Sequence, residues 1–395
     1  MSERVTFVWD ERLASYNFGP SHPLAPIRVE LAVRLVRDLA LLDRPNVREV
    51  AADFAPDADL LRVHTAEYLA AVRGAGETGL DDLAHGLGTP DDPVFVDMHD
   101  AAALVVGASL AAVQAVWGGE SDHAVNLAGG LHHAMPASAS GFCVYNDVAA
   151  AIAWALDHGA ERVAYVDVDV HHGDGVERIF WDDPRVLTIS LHESPRSLFP
   201  GTGYPQDVGG RGAEGSAVNV ALPAGTGDDG WLRAFDAVVP QLVAQFRPQL
   251  LVTQHGCDSH ALDPLAHLAL TVDGQRASYQ RLHELAHLHA GGNWVALGGG
   301  GYEHILVVPR AWAHLTAECV GAPVDPDSLV PDSWSEYVTH RLGRATPTRM
   351  TDGRLPRPRA WAGGHSPDED QLDRAVDATR RAVFPLHGLD PHLDL

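Results

Sequence analysis

The sequence predicts an α/β fold, a single three-layer domain around a central parallel sheet. Three observations predict it. From about residue 98 helical and strand-like segments alternate regularly. The strand-like segments are short apolar runs, as expected where helices cover both faces of a sheet. Each such run also ends in polar or Gly-rich residues: AGGLHH, DVDVHHGDG, SLHES, QHGCDSH and GGGGYEH. In parallel sheets ligands bind beyond the carboxyl ends of the strands.

The elements follow in order. The chain opens on a strand-like run, TFVWD, and a loop with Gly19, Pro20, Pro23 and Pro26. A stripe of Ile27, Leu31, Leu35, Leu39 and Leu42, with proline near its start, predicts a helix from Pro26 to Asp43. A second helix is expected over Asp57 to Arg73. Residues 74–97, rich in Gly, Asp and Pro, read as a long loop of the kind that is often functional. The alternation then runs helix 99–117, strand 124–129, helix 146–158, strand 162–170, short helix 175–181 and strand 185–191. Helix 230–246, strand 249–256, helix 276–290 and strand 293–301 complete it. Past about residue 320 the composition shifts to Arg and Pro (RLGRATPTRMTDGRLPRPR, 341–359), then to a helix-like stretch at 367–382. No linker separates a second domain. Residues 1–320 are expected to form one catalytic unit, with 321–395 packed on it or trailing from it.

Composition narrows the function classes. The 395 residues are 46% apolar and 21% charged, which excludes global disorder. A formal charge of −25 argues against direct binding to nucleic acid or anionic lipid. The three cysteines, Cys143, Cys257 and Cys319, form no CxxC and no disulfide framework, which fits a reducing, cytoplasmic setting. The opening MSERVTFVWDER has no apolar signal core, and no apolar run reaches the ~18 residues of a membrane span. The unusual count is 23 histidines, residues that titrate near neutrality and bind metals.

In VAYVDVDVHHGDG, Asp167, Asp169 and His171 fall at i, i+2 and i+4. A strand that stays regular to its end would put all three on one face. Two carboxylates and an imidazole there suit a divalent metal, zinc or iron(II) alike. TQHGCDSH (253–260) adds Asp258 as a further candidate ligand, although Asp in that setting is also a good helix cap. His132 and His133, after Gly129 and Gly130, are candidates for proton transfer. Each needs an orienting acid, and Asp167 and Asp174 are at hand. LGGGGYEH allows close backbone approach and presents Tyr302, whose hydroxyl can donate to a developing oxyanion. One motif competes. His283-Glu284-Leu285-Ala286-His287 is a literal HExxH, the zinc metallopeptidase signature, but Ala290 and Asn293 stand where its extended form has Gly and His. Leu282, Leu285 and Leu288 suggest that this helix packs on the sheet with His283 and His287 on its outer face.

Together these motifs resemble one family. GGLHHAMPASASGFCVYND, YVDVDVHHGDGVERIF, ISLHESPRSLFPGTG, TQHGCDSHALDPLAHL and LGGGGY occur in the order seen in zinc-dependent histone deacetylases of the class I type. The match starts near FGPSHPLAPIRVE and covers about residues 7–320. The form GFCVYND is most similar to the bacterial acetoin-utilization (AcuC) branch, rather than to acetylpolyamine amidohydrolases. The resemblance implies an arginase/deacetylase-type fold with about eight parallel strands. It implies zinc on Asp169, His171 and Asp258, tandem catalytic histidines His132 and His133 paired with Asp167 and Asp174, and Tyr302 on the scissile carbonyl. It places Gly141, Phe142 and Phe199 along a narrow acyl-lysine tunnel, Gly300 among the substrate contacts, and Asp91 at the rim. It also implies a structural potassium bound through Asp167, Asp169, His171, Ser190 and Leu191, and a second monovalent site near Phe180, Asp183 and Val186. The implied substrate is acetyl-lysine in a protein, such as acetyl-CoA synthetase. Small acetylated amines, a catalytically inactive acyl-lysine binding module and the metallopeptidase remain as alternatives. Oligomeric state is left open.

Overall fold

Eight short strands pair side by side into one all-parallel sheet in the computed structural model, which describes residues 3–363 and 370–393. They are β1 (Val5–Val8), β2 (Val47–Val50), β3 (His123–Asn126), β4 (Val163–Asp167), β5 (Val186–Glu193), β6 (Ala217–Leu222), β7 (Leu250–Gln254) and β8 (Trp294–Leu297). Their order across the sheet is β2-β1-β3-β8-β7-β4-β5-β6. β1, β3, β4, β7 and β8 are buried at every position, so their apolar runs need no alternation.

Helices cover both faces. α4 (Met98–Trp117) packs on β1, β3 and β8 and against α5 (Asp147–Asp157), with α3 (Ala66–Thr78) beside it. A second row comprises α1 (Ile27–Asp38), α7 (Asp228–Phe246), α8 (Val272–His289) and α9 (Val308–Cys319). α4 is apolar and long enough to cross a membrane, contrary to the reading of its sequence, but nearly all its side chains are packed inside the fold.

Several boundaries differ from expectation. The first helix stops at Asp38, and Ala40 turns left-handed at φ 54. The expected helix 57–73 breaks into α2 (Asp57–Leu60) and α3, because Thr65 caps the latter by accepting from the Tyr68 N–H. α3 then runs on to Thr78, into the expected loop. β2 and β6 had no counterpart in the sequence reading. Nor did α9 or α10 (Asp332–Leu342), whereas the short helix expected at 175–181 is α6 (Asp174–Ile179).

The chain beyond residue 320 lies on the same body. Trp334 is fully buried and donates to Leu31 O at 2.9 Å. Asp352 links His260, the Val272 N–H and Arg310. α11 (Gln371–Val383) opens with a reciprocal Asp370–Asp373 capping box and packs on β6 and α7. Residues 367–369 of the expected final helix lie outside the described residues. Ser216 O accepts from the Thr188 N–H, so alternate carbonyls of β6 face away from β5. One of these, Asn219 O, accepts from Thr379 Oγ1 of α11 at 2.7 Å.

Candidate active site

The carboxyl ends of four adjacent strands, β3, β8, β7 and β4, converge on one point. β4 stops at Asp167, and residues 168–173 leave the strand. The expected regular face through Asp167, Asp169 and His171 is therefore not formed. Asp167 goes its own way: it accepts from the Asp169 N–H (3.1 Å), the Tyr165 hydroxyl (2.6 Å) and His132 Nδ1–H (2.7 Å). The turn instead delivers Asp169 and His171 to Asp258, which follows β7. His171 Nδ1 lies 3.1 Å from Asp169 Oδ1 and 3.2 Å from Asp258 Oδ2. All three side chains are buried, with ligand atoms within 4.8 Å of one another.

The residues fit a divalent ion. Burial alone would discharge His171, yet its hydrogen bonds to Asp169 and Asp258 raise its pKa to about 10. Burial, then the charge on Asp169, pushes Asp258 up to about 6. Two carboxylates in a dry site each cost several kcal/mol unless a cation faces them. A dication with oxygen and nitrogen ligands answers that need at the point where the imidazole proton sits. Other groups hold the carboxylates in place. Gln254 Nε2 and the Gly300 N–H each donate to Asp169 Oδ2 at 2.8 Å, and the Val170 N–H donates to Asp258 Oδ1 at 3.0 Å. Gly300 thus touches the carboxylates rather than the cavity wall, and a Cβ there would collide with Asp258.

The tandem histidines stand beside this set. His132 and His133 approach Nε2 to Nε2 at 3.0 Å. His132 Nδ1–H donates to Asp167 and His133 Nδ1–H to Asp174, each at 2.7 Å. Burial opposes charge on both, but they part company. The nearby carboxylates of Asp167 and Asp169 raise His132 to about 9. Burial and the neighbouring His132 lower His133 to about 4. The two environments push the imidazoles apart, so the pair can divide proton-holding from proton-accepting work.

Asp91, His133, Gly141, Phe142, His171, Leu198, Phe199, Leu265 and Tyr302 line a cavity of about 200 Å³ that leads to this point. Phe199 stands edge-on to His133 at 5.1 Å, and Phe142 edge-on to Tyr302 at 5.7 Å. Gly141 is left-handed at φ 55, and a side chain there would strike the His133 and Phe199 rings. Burial, then the charges on Asp258 and Asp169, raises Tyr302 well above its ordinary pKa, so its hydroxyl keeps a proton to donate. Among the described residues, clefts of about 450 Å³ elsewhere are larger, but they receive no cluster of metal-ligating side chains.

For the implied potassium site, Ser190 pairs in register with Asp167 across β4 and β5, and Leu191 follows it. At the second implied site the Asp183 carboxylate is taken up by Arg185.

Sequence reasoning missed the groups that hold the site together. Asp147 accepts from the Gly130 and Leu131 N–H groups (3.0 and 2.7 Å) and from Ser109 (2.5 Å), fixing the loop before the histidines. Asn146 donates to His132 O and Ala134 O. Buried Arg28 reaches Gly299 O at 2.7 Å. Asp263 accepts from the Tyr302 N–H at 2.8 Å. His22 contacts Asp91 O at 3.0 Å and packs on Phe142. For Asn146 and Asp147 the signal was present in the GFCVYND motif. His22 and Arg28 lie in FGPSHPLAPIRVE and Asp263 in TQHGCDSHALDPLAHL, but nothing in those motifs singled them out.

Comparison with known proteins agrees with this geometry. Residues 22–319 match the histone deacetylase domain. The acetoin utilization protein AcuC of Bacillus subtilis is 41% identical over 88% of this chain and 89% of its own. Its counterpart in Staphylococcus xylosus is 33% identical over 89% and 91%. That of Staphylococcus aureus strain MRSA252 is 32% identical over 88% and 90%. The chain belongs to the histone deacetylase family, on its AcuC-like side, and is a deacetylase, an enzyme that hydrolyses an acyl amide.

Proposed function

We propose that the chain removes the acetyl group from N-ε-acetyl-lysine in a protein, with acetyl-CoA synthetase as the candidate target. The observation that carries this reading is the cavity of about 200 Å³, walled by Phe142 and Phe199 and ending on the Asp169, His171, Asp258, His133 and Tyr302 cluster. An unbranched acyl-lysine stem matches such a passage. Residues 1–320 carry the chemistry, and 321–395 form a C-terminal extension packed on or trailing from the same domain.

Asp169, His171 and Asp258 would hold zinc or iron(II). Such an ion supplies Lewis acidity and lowers the pKa of water toward neutrality. The chain's own groups do the rest. Asp91 at the rim holds the substrate backbone, and Gly141 leaves room for the stem. The Tyr302 hydroxyl donates to the amide oxygen as negative charge grows there. His133, a neutral base anchored by Asp174, takes a proton at Nε2 from the attacking water. It then passes that proton to the leaving lysine nitrogen as the C–N bond breaks, giving acetate and free amine. His132 keeps its proton, held by Asp167, and supplies fixed positive charge beside the reacting centre. The turn at 167–171 with Ser190 and Leu191 would bind potassium and stiffen the strand end that presents Asp169 and His171.

The test is hydrolysis of a fluorogenic acetyl-lysine peptide, with and without a hydroxamate chelator, alongside acetylspermidine. Peptide turnover blocked by hydroxamate supports the reading. Turnover of acetylspermidine alone would shift the substrate to small acetylated amines. No turnover of either by protein with metal bound would overturn it in favour of a binding module.

A further inference from the structure

The HExxH segment faces away from the catalytic end of the sheet, yet its histidines are not simply solvated. His283 and His287 sit one turn apart on α8 with Nε2 atoms 3.1 Å from each other. His287 Nε2 lies 3.1 Å and His283 Nε2 3.7 Å from Glu3 Oε1. The ring of His123, first residue of β3, stands 4.9 Å from that of His283 and 5.2 Å from that of His287. The four side chains can each point a ligand atom into a space no wider than 4.8 Å.

His123 gives the independent observation. It is fully buried, and its Nδ1 lies 2.8 Å from Cys319 O, an acceptor only, so Nδ1 carries the hydrogen. Its Nε2 is buried and has no hydrogen-bond partner, and its Nδ1 lies 3.9 Å from Glu3 Oε2. A buried polar atom without a partner costs about 1–3 kcal/mol. An imidazole that donates through one nitrogen to a carbonyl and offers the other to a cluster of ligands has the arrangement of a metal-bound histidine. Glu318 Oε2, 3.9 Å from His283 Nδ1, is placed to orient that ring in the same way.

We propose that Glu3, His123, His283 and His287 form a second, structural site for a zinc-class divalent ion at the amino end of the sheet. Three imidazoles and one carboxylate complete a four-coordinate set and leave no open position, so the site is structural rather than catalytic. Glu284 of the HExxH segment is exposed, which sets the site apart from a peptidase. A bound ion would tie the segment leading into β1, the start of β3 and the last turns of α8 to one another.

The test is titration of untagged, metal-free protein with Zn²⁺, and with Co²⁺ for its ligand-field spectrum. It is done in an Asp258→Ala background so that only the second site is read. One tight equivalent is expected, with the spectrum of a tetrahedral nitrogen/oxygen site. His287→Gln, and separately His283→Gln, should weaken it more than about 100-fold, since even indirect supports of a metal cost 10–100-fold. In a chain with Asp258 intact the same titration should reach two equivalents, falling to one in His287→Gln. Absence of tight binding in the Asp258→Ala protein, or binding undisturbed by both glutamine variants with their far-UV spectra unchanged, would overturn the proposal. It stands independently of the deacetylase substrate.

Discussion

The two ends of the sheet hold similar chemistry in opposite settings. At the carboxyl end, Asp169, His171 and Asp258 offer three ligands at the foot of a cavity of about 200 Å³. At the amino end, Glu3, His123, His283 and His287 offer four, set between α8 and the starts of β1 and β3. Ligand number and access, rather than residue type, separate a site built to react from one built to hold. The supports differ too. Strand ends and glycine loops, fixed by Asp147, Gln254 and Arg28, aim the first set; a helix face and two strand starts aim the second.

The largest expected effect breaks the carboxyl end. Asp258→Ala should lose metal there and lower acetyl-lysine peptide hydrolysis by on the order of 10³-fold or more, as metal analysis and initial rates would show. Tyr302→Phe should cost roughly 10²-fold in kcat while metal content stays unchanged. Near-normal turnover in that variant would remove Tyr302 from the chemistry. Asp174→Asn should cost roughly 10-fold or somewhat more, by loosening His133. It should also move the acid limb of the pH–rate profile. Asp174 raises the His133 pKa against burial, so its loss lowers that pKa and shifts the limb to lower pH. An unmoved limb would assign it to another group.

A smaller effect concerns the cavity mouth. Burial, then neighbouring Asp91, raises Asp92 to about 8, well above an unfolded Asp near 3.8. Its contribution is fully present below about pH 4 and is lost as pH rises through 8, because ionisation is easier in the unfolded chain. Asp92→Asn should flatten that decline, as denaturant midpoints compared at pH 4 and pH 8 would show. The smallest effect sharpens the contrast between the ends. His287→Gln should leave peptide turnover within about twofold, since sites this far apart act independently.

What the sequence disclosed follows the same division. Strands buried on both faces announced themselves as apolar runs. β2 did not, because its middle residues Arg48 and Glu49 are exposed at an edge and resemble a loop. β6, AVNVAL, was hidden behind the Gly-rich segment that precedes it. The ligand and histidine candidates could be picked out by type and position at strand ends, while their roles came from family resemblance. Periodicity gave the wrong reason for the metal set: the strand ends three residues early, and a turn brings Asp169 and His171 to Asp258. Arg28 stood in FGPSHPLAPIRVE, but its partner was invisible, since 271 positions separate it from Gly299. The HExxH helix was only half legible. Leu282 and Leu285 pack inward as the stripe predicts, but Leu288 is 71% exposed. His283, expected outside, is turned toward Glu3 and His123.

The contact between Thr379 and Asn219 covers part of one open edge of the sheet. A parallel sheet ends in two rows of unpaired backbone groups, ready templates for strands of another copy. β2 guards its row with charged side chains. β6 is apolar but for Asn219, and it relies on the last helix to lie across it. Shortening the chain to its catalytic unit would therefore strip a sticky border bare, and the product would be expected to self-associate into aggregates while its reactive residues remained intact.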